Sequence, residues 1–198
     1  MIKKISIKSI LMICLLAIVA CGGLRFNQLA PEAKDFHPKR IAVFPIEVWN
    51  HKDIDSRGVV EQVVAGALVD KKFFTQVTYV ESLQKRFKDN EELRRVKDEY
   101  FSKLKVLNFS DPELSRKIGE LANIDAFLLV YVDEWKYDAK GDEKTAQVAM
   151  AMEMYDVSNG KLMWKASHAI TKDYMLIKPE LSEVARDVVN KMANYMPH

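Results

Sequence analysis

Both cysteines of this 198-residue chain lie within its first 21 residues, as Cys14 and Cys21. Residues 22–198 therefore have no thiol for a disulfide and no thiolate for a metal, and they must be stable through packing alone. The composition allows this, because hydrophobic residues make up 48% of the chain and charged residues 29%, as in globular proteins that bury a core. The length predicts one domain, or one domain with tails.

The first 20 residues have the pattern of an export signal. Lys3, Lys4 and Lys8 precede an uncharged apolar run over residues 10–20. As a helix this run would rise about 16 Å, which is too short for a hydrocarbon core about 30 Å thick. A basic start, a short apolar stretch and small residues at its end are typical of a signal peptide. We therefore predict that residues 1–20 are removed on export.

The apolar run ends in Ile18-Val19-Ala20-Cys21-Gly22. This sequence resembles the lipobox of bacterial lipoproteins, in which a branched and a small residue precede the modified cysteine. The resemblance implies cleavage before Cys21, a diacylglycerol on its sulfur and a fatty acid such as palmitate on the new amino group. Two or three acyl chains give lasting membrane anchorage. The alternative is an ordinary signal peptide with an incidental cysteine.

The residue after the cysteine bears on the destination. Asp at that position retains lipoproteins in the inner membrane of diderm bacteria, and this chain has Gly22. We therefore predict an outer-membrane lipoprotein with its domain in the periplasm, and the inner membrane stays open because the rule varies between organisms. Residues 21–39 are predicted to be the acylated N-terminus and a tether, because they contain Pro31 and Pro38 and no periodic pattern. Such a tether would span roughly 50–60 Å when stretched.

Residues 40–198 have the pattern of a single α/β domain. Apolar runs and alternating segments predict strands at 40–49, 76–80, 125–135, 146–156 and 161–170. Helical spacing predicts helices at 58–72, within 82–123 and at 179–196. Asp111, just before Pro112, is predicted to cap a helix that Asn123 ends. The segment 125–135 is predicted to be the central strand, with Asp125 as a cap or turn residue at its start. The charged stretch 136–145 is predicted to be a turn. This order predicts one mixed sheet, parallel in its first part and an antiparallel meander in its C-terminal part, with helices packed on it.

Three stretches together resemble a known group of proteins. They are a strand with a proline turn at 41–46 followed by the helix at 59–68, a helix–Gly–Asp–Ala passage at 118–130, and an Asp…Gly…Trp hairpin at 155–164. The resemblance is to envelope lipoproteins with a domain similar to the N-terminal domain of TolB. This group includes the curli secretion lipoprotein CsgG and the penicillin-binding-protein activator LpoB. It implies the α/β fold of that domain.

The chain departs from the group in one important respect. A CsgG-like pore needs membrane hairpins with about 9–11 residues in each strand. The long insertion at 81–123 is instead rich in lysine, glutamate and arginine and has a helical pattern. We therefore expect no pore, and no residue is carried over from LpoB.

The sequence contains few residue patterns typical of catalysis, metal binding or nucleic-acid binding. Its histidines form no pair at metal spacing, so we predict no metal and no cofactor; they are His37, His51, His168 and His198. Nucleotide-binding and nucleophile motifs are absent, and Asp133 and Glu134 would point to opposite faces of a strand. We predict that the protein is not an enzyme.

The charge balance bears on nucleic-acid binding. Removing the signal takes three lysines from 30 basic residues and leaves 27, against 28 acidic residues. A nucleic-acid-binding face is therefore not expected.

Aromatic and methionine side chains supply the remaining candidates. Trp49, Trp135 and Tyr137 lie near strand ends beside charged loops, where exposed aromatic residues are candidate anchors for a partner. The alternative is that they cover the edge of the sheet. The alternating row of Met150, Met152 and Met154 is predicted to lie under helices, in preference to forming a copper site or an adaptable peptide surface.

These observations predict an outer-membrane-anchored lipoprotein that acts through protein–protein interaction in envelope assembly, secretion or transport. One alternative is an activator of a penicillin-binding protein or other peptidoglycan synthase. A second is a small-ligand carrier or enzyme. The expected partners are envelope proteins, and exposed strand edges also allow a homo-oligomer.

Mass spectrometry tests the modification at Cys21 directly. We expect the N-terminal peptide of the exported protein to begin at Cys21 and to carry diacylglycerol and an amide-linked fatty acid. Cys14→Ser is the matched control and should leave this peptide unchanged, because Cys14 departs with the signal. An unmodified sulfur at Cys21, or an intact precursor in the cytosol, would contradict the prediction.

Overall fold

A computed structural model describes residues 23–45, 47–48 and 55–198, so the predicted signal, Cys21 and Trp49 lie outside the described residues. The strands are β1 Phe26–Leu29, β2 Arg40–Val43, β3 Glu47–Val48, β4 Gln76–Thr78, β5 Ala126–Lys140, β6 Glu143–Asp156 and β7 Leu162–Tyr174. The α-helices, numbered within the described residues, are α1 Asp55–Lys71, α2 Val80–Asp89, α3 Glu91–Leu107, α4 Pro112–Ala122 and α5 Leu181–Ala193. A short 3₁₀ helix covers Pro31–Asp35.

The strands form one mixed sheet in the order β1-β7-β6-β5-β2-β4, and β3 continues beside β5 beyond the end of β2. Strand β2 is parallel to both β4 and β5, whereas β5, β6, β7 and β1 are antiparallel. The predicted mixed α/β sheet is therefore confirmed. Strand β2 ends just before Pro45, which has no N–H to donate to a ladder.

Helices cover both faces of this sheet. Helices α1 and α5 pack on one face over a core that includes Val64, Leu128 and Val188. Helices α2, α3 and α4 pack on the other face over a second core, which includes Phe44, Tyr100 and Phe127. Residues 126–130 of β5 are buried on both faces, as expected for the central strand of such a sheet.

The methionine row belongs to the first of these cores. Met150, Met152 and Met154 are fully buried among residues of α1, α5 and the neighbouring strands. The prediction that this row lies under helices is confirmed.

The region predicted as helical within 82–123 consists of three helices, α2, α3 and α4. Asn90 begins α3, since its side chain accepts a hydrogen bond from the Leu93 amide at 3.0 Å. Asp111 begins α4 by accepting from the amides of Glu113 and Leu114 at 3.0 and 3.2 Å. Asn123 ends α4 with φ of 53°. The last two features agree with the sequence-based prediction of a capped helix.

The turn predicted at 136–145 is wrong, because β5 continues to Lys140 and β6 begins at Glu143. Gly141, with φ of 60°, and Asp142 form the actual turn. Charged side chains are compatible with this hairpin because they alternate with Trp135, Tyr137 and Ala146, which pack toward the first core. Strand β7 likewise runs on to Tyr174.

The free tether predicted at 21–39 is wrong for residues 26–35. Strand β1 pairs with β7, with Phe26 opposite Ser167 and Leu29 opposite Trp164. Within this pair, the buried indole N–H of Trp164 donates to the Asn27 side-chain oxygen at 2.8 Å. The amide of Ala30 extends the pairing to the carbonyl of Met163 at 2.9 Å. Residues 26–35 therefore belong to the folded domain, which begins well before residue 40.

Substitution of Asn27 tests this attachment. We expect Asn27→Ala to lower the free energy of unfolding by about 1–2 kcal/mol, because a buried indole N–H loses its acceptor. Gln28→Ala is the control, since Gln28 is exposed and should change stability by less than about 0.5 kcal/mol. Urea unfolding followed by circular dichroism measures both variants. Equal and negligible effects would mean that residues 26–29 are a free tether in solution.

Candidate interaction surfaces

The structure places two of the three aromatic candidates against the core. Trp135 and Tyr137 are half-buried on β5 and pack on the core that α1 and α5 cover. They do not form an exposed pair, so their position agrees with the alternative that they cover the sheet. Trp49 and the lipid-attachment candidate Cys21 lie outside the described residues.

Tyr137 holds both ends of the connection between β7 and α5. Its hydroxyl donates to the carbonyl of Pro179 at 2.9 Å, and Lys178 Nζ lies 3.4 Å from the centre of its ring. Its ring meets that of Tyr174 edge to face, with centroids 6.2 Å apart. Burial raises the pKa of Tyr137, so the hydroxyl remains a donor at physiological pH.

Three consecutive apolar residues lie between these fixed points. Met175, Leu176 and Ile177 are 84, 98 and 86% exposed. We call these three residues the apical loop. Single exposed apolar side chains are common, but three consecutive ones on an anchored base form a patch that suits a partner or a membrane.

A groove of about 370 Å³ opens on the opposite face of the sheet, between α3 and strands β5 and β6. We call it the central groove. Its apolar wall is formed by Pro45, Phe101, Leu104 and Leu129. The segment that closes α3 contributes Lys105 and Asn108 to the lining, and its neighbours Val106, Leu107 and Phe109 are 77, 66 and 50% exposed. These three exposed residues adjoin lining residues of the groove in the sequence, and we call them the apolar rim.

The base of the central groove is polar. Glu153 is buried, and one of its oxygens accepts from the hydroxyls of Tyr155 and Tyr131 at 3.0 and 3.3 Å. Its other oxygen lies 2.6 Å from Lys165 Nζ. The ring of Tyr155 stacks on Phe127 with centroids 5.1 Å apart, which holds its hydroxyl in place.

The tyrosines at the groove have raised pKa values. Burial is the main cause that raises the pKa values of Tyr131 and Tyr155, and the neighbouring Glu153 carboxylate raises them further. Burial raises the pKa of nearby Tyr100 to about 12. These hydroxyls are thus protonated hydrogen-bond donors at neutral pH, and the groove can bind polar atoms at its base and apolar groups along its wall.

Another charged group with many hydrogen bonds, Asp125, has a structural role. Its carboxylate accepts from the amides of Lys39 and Arg40 at 3.0 and 2.9 Å and also pairs with the Arg40 guanidinium. This pairing is the main cause that lowers the pKa of Asp125. It ties the start of β2 to the start of β5, as expected for a turn residue.

The described histidines are well separated. His37 Nδ1 lies 2.7 Å from the carbonyl of His198, and the His198 ring stacks on Phe73. His168 is buried on β7, and burial is the main cause that lowers its pKa. Across the described part of the chain, no group of three or more His, Cys, Asp or Glu side chains is arranged to hold a metal ion. His51 lies outside the described residues.

Comparison with known proteins identifies the fold. No protein-family model and no curated protein sequence matches this chain. Among solved structures, the PelC dodecamer from Paraburkholderia phytofirmans is 17% identical, with a TM-score of 0.55, over 87% of this chain and 95% of PelC. The lipoprotein GNA1162 from Neisseria meningitidis is 19% identical, with a TM-score of 0.52, over 79% of this chain and 99% of its own.

A third structure, the protein CT253 from Chlamydia trachomatis, is 8% identical, with a TM-score of 0.56, over 78% of this chain and 93% of that one. At such identities the likeness shows a shared α/β fold. The narrower resemblance to TolB, CsgG and LpoB stays a prediction. None of the described helices has both the length and the apolar character that a membrane span requires.

Sequence reasoning did not predict the central groove or the apical loop. Tyr131, Glu153 and Lys165 lie on three different strands, and only their pairing brings them together. The apolar run of residues 175–177 was visible in the sequence, although nothing local distinguished it from a buried segment.

Removal of the Glu153 carboxylate tests the polar base. We expect Glu153→Ala to lower the free energy of unfolding by about 2–3 kcal/mol, because the hydroxyls of buried Tyr155 and half-buried Tyr131 lose a charged acceptor. Glu134→Ala on neighbouring β5 is the control, since Glu134 forms only a partly exposed pair with Lys136 at 3.4 Å and should cost less than about 0.5 kcal/mol. Urea unfolding measures both. A loss at Glu153 no larger than at Glu134 would contradict the hydrogen-bonded base.

Proposed function

We propose that this chain is a bacterial lipoprotein, anchored in the outer membrane through Cys21, whose periplasmic domain acts through protein–protein interaction in envelope assembly, secretion or transport. The basic and apolar N-terminus that ends in Ile18-Val19-Ala20-Cys21 supports the anchor. The shared fold with GNA1162, which is a lipoprotein, agrees with it.

The central groove and its apolar rim carry the proposed interaction. Protein contact sites combine desolvated apolar or aromatic anchors with a few oriented polar groups. The rim offers Val106, Leu107 and Phe109 to solvent, and the base offers the cluster around Glu153. The loop behind the rim is held in place, because the hydroxyls of Tyr100 and Ser110 lie 2.7 Å apart and Lys103 Nζ lies 2.8 Å from Asp111.

We further propose that the groove binds and does not catalyse. Its one carboxylate already accepts two tyrosine hydroxyls and pairs with Lys165. The tyrosines have raised pKa values, which makes them hydrogen-bond donors and poor nucleophiles. Because both O–H groups already donate to Glu153, the tyrosine oxygens keep lone pairs that suit recognition of an N–H or O–H donor on a partner.

The start of β1 bears on the alternative of a peptidoglycan-synthase activator. Four residues lie between Cys21 and Phe26, and the five residue-to-residue steps that join Cys21 to Phe26 span about 17 Å at most. A domain held this close to its membrane is poorly suited to reach an enzyme in the opposite membrane. Partners within or beside the same membrane fit better, and a second copy of this chain is one of them, since the PelC neighbours are dodecamers.

Photo-crosslinking from the apolar rim tests this proposal. We expect p-benzoylphenylalanine in place of Val106 to give a discrete adduct in intact cells, which mass spectrometry identifies as an envelope protein or as this chain itself. The same probe in place of Val69, an apolar residue of α1 that is 45% exposed, should give none. Leu107→Asp should abolish the Val106 adduct, because a charge at the rim opposes burial of apolar surface.

The two probes also give the results that would contradict the groove as a contact site. Equal adducts from positions 106 and 69 would reflect random encounter, and the absence of an adduct at 106 would remove the groove as a contact site. An adduct of twice the chain's mass would specify self-assembly as the form of the interaction.

A further inference from the structure

The N-terminal end of β1 and the C-terminal end of β7 point toward the same end of the sheet. The two strands are antiparallel, and Phe26 lies opposite Ser167 while Leu29 lies opposite Trp164. Traced backward from Phe26, the chain therefore continues in the direction in which β7 runs from Ser167 to Tyr174, and Leu24 still packs against the first core. The apical loop follows Tyr174 immediately.

The distances along the two strands can be compared. The seven residue-to-residue steps from Ser167 to Tyr174 rise about 23 Å along β7. The five residue-to-residue steps from Phe26 back to Cys21 span about 17 Å at most. Even a fully extended chain from Phe26 to Cys21 would therefore end about 6 Å short of the level of Tyr174, after which the apical loop begins. Amphipathic segments at a membrane surface bury their apolar faces about 5–10 Å deep.

We propose that the apical loop, Met175, Leu176 and Ile177, inserts into the lipid surface beside the acyl chains of Cys21 and gives the domain a second membrane contact. This inference rests on the lipoprotein anchor in the proposed function. The loop has the required character, because its three apolar side chains are each more than 80% exposed. Its base is rigid, because Tyr137 holds Tyr174, Lys178 and Pro179.

The other residues at this end of the sheet fit a lipid surface as well. The tip of the β5–β6 hairpin carries charged side chains of both signs, which belong at the level of the headgroups: Asp138, Lys140, Asp142, Glu143 and Lys144. A protein partner could also cover the apical loop. The position of the anchor favours lipid, because a short anchor turns this end of the domain toward the bilayer.

Membrane contact at the apical loop would orient the central groove. Tyr131 at the groove lies opposite Ala151, Ala151 opposite Ser167, and Ser167 opposite Phe26, so these residues form one row across the sheet. This row lies about 23 Å from the end of β7. The groove then opens sideways, parallel to the membrane, toward neighbours anchored in the same leaflet.

A depth-sensitive fluorophore tests the insertion. Azidophenylalanine replaces Leu176 in the full chain and is coupled to a nitrobenzoxadiazole dye, and the exported protein is reconstituted in vesicles of phosphatidylethanolamine and phosphatidylglycerol. We expect a blue shift, a roughly twofold rise in emission as the dye leaves water for the interface, and quenching by lipids with a nitroxide high on the acyl chain. The same dye at Ser158, an exposed residue at the opposite end of the sheet, should show none of these changes.

Mass spectrometry of Cys21 in the same sample separates the two proposals. Acylated Cys21 with an unchanged dye at position 176 would overturn the insertion and leave the anchor intact. Unmodified Cys21 with a shifted and quenched dye would overturn the anchor and support the lipid affinity of the loop. Unmodified Cys21 with an unchanged dye would overturn both. A shift that depends on protein concentration without vesicles would show self-association through the loop and would also overturn the insertion.

Discussion

The arrangement of the helices and strands depends on the burial of β5 on both of its faces. Residues 126–130 pack against the α1 and α5 layer on one side and against the α2, α3 and α4 layer on the other. Helical crossovers place β2 parallel to β5 at one edge, and tight hairpins place β6 and β7 antiparallel at the other. Chain direction is therefore set across the whole sheet, and with it the end at which each loop emerges.

The pairing of β1 with β7 sets the end of the sheet from which the N-terminal segment of the chain approaches. This pairing uses residues that would otherwise have been a long tether, and it shortens the reach from the anchor to about 17 Å. If the proposed lipid anchor is present, this pairing places the apical loop toward the membrane and makes the central groove open sideways. Under the proposed function, a domain arranged in this way would contact partners in its own membrane in preference to partners across the periplasm.

Local patterns predicted the elements that depend on local energetics. The caps at Asp111 and Asn123, the central strand and the buried face of the methionine row all agree with the structure. The hairpin at 136–145 was missed because its charged residues face outward while Trp135 and Tyr137 face the core. Strand β1 was missed because its four residues are all exposed, so they have no apolar alternation to detect.

The sequence by itself determined the α/β class and the export and lipobox pattern, since apolar periodicity and short motifs depend on residues close together in the chain. Only the tertiary structure decided where the domain begins and which side chains meet. Tyr131, Glu153 and Lys165 converge through strand pairing, as do the start of β1 and the end of β7. A two-residue period specifies the face of a strand on which a side chain lies, but the register that selects its neighbours comes from packing across the sheet.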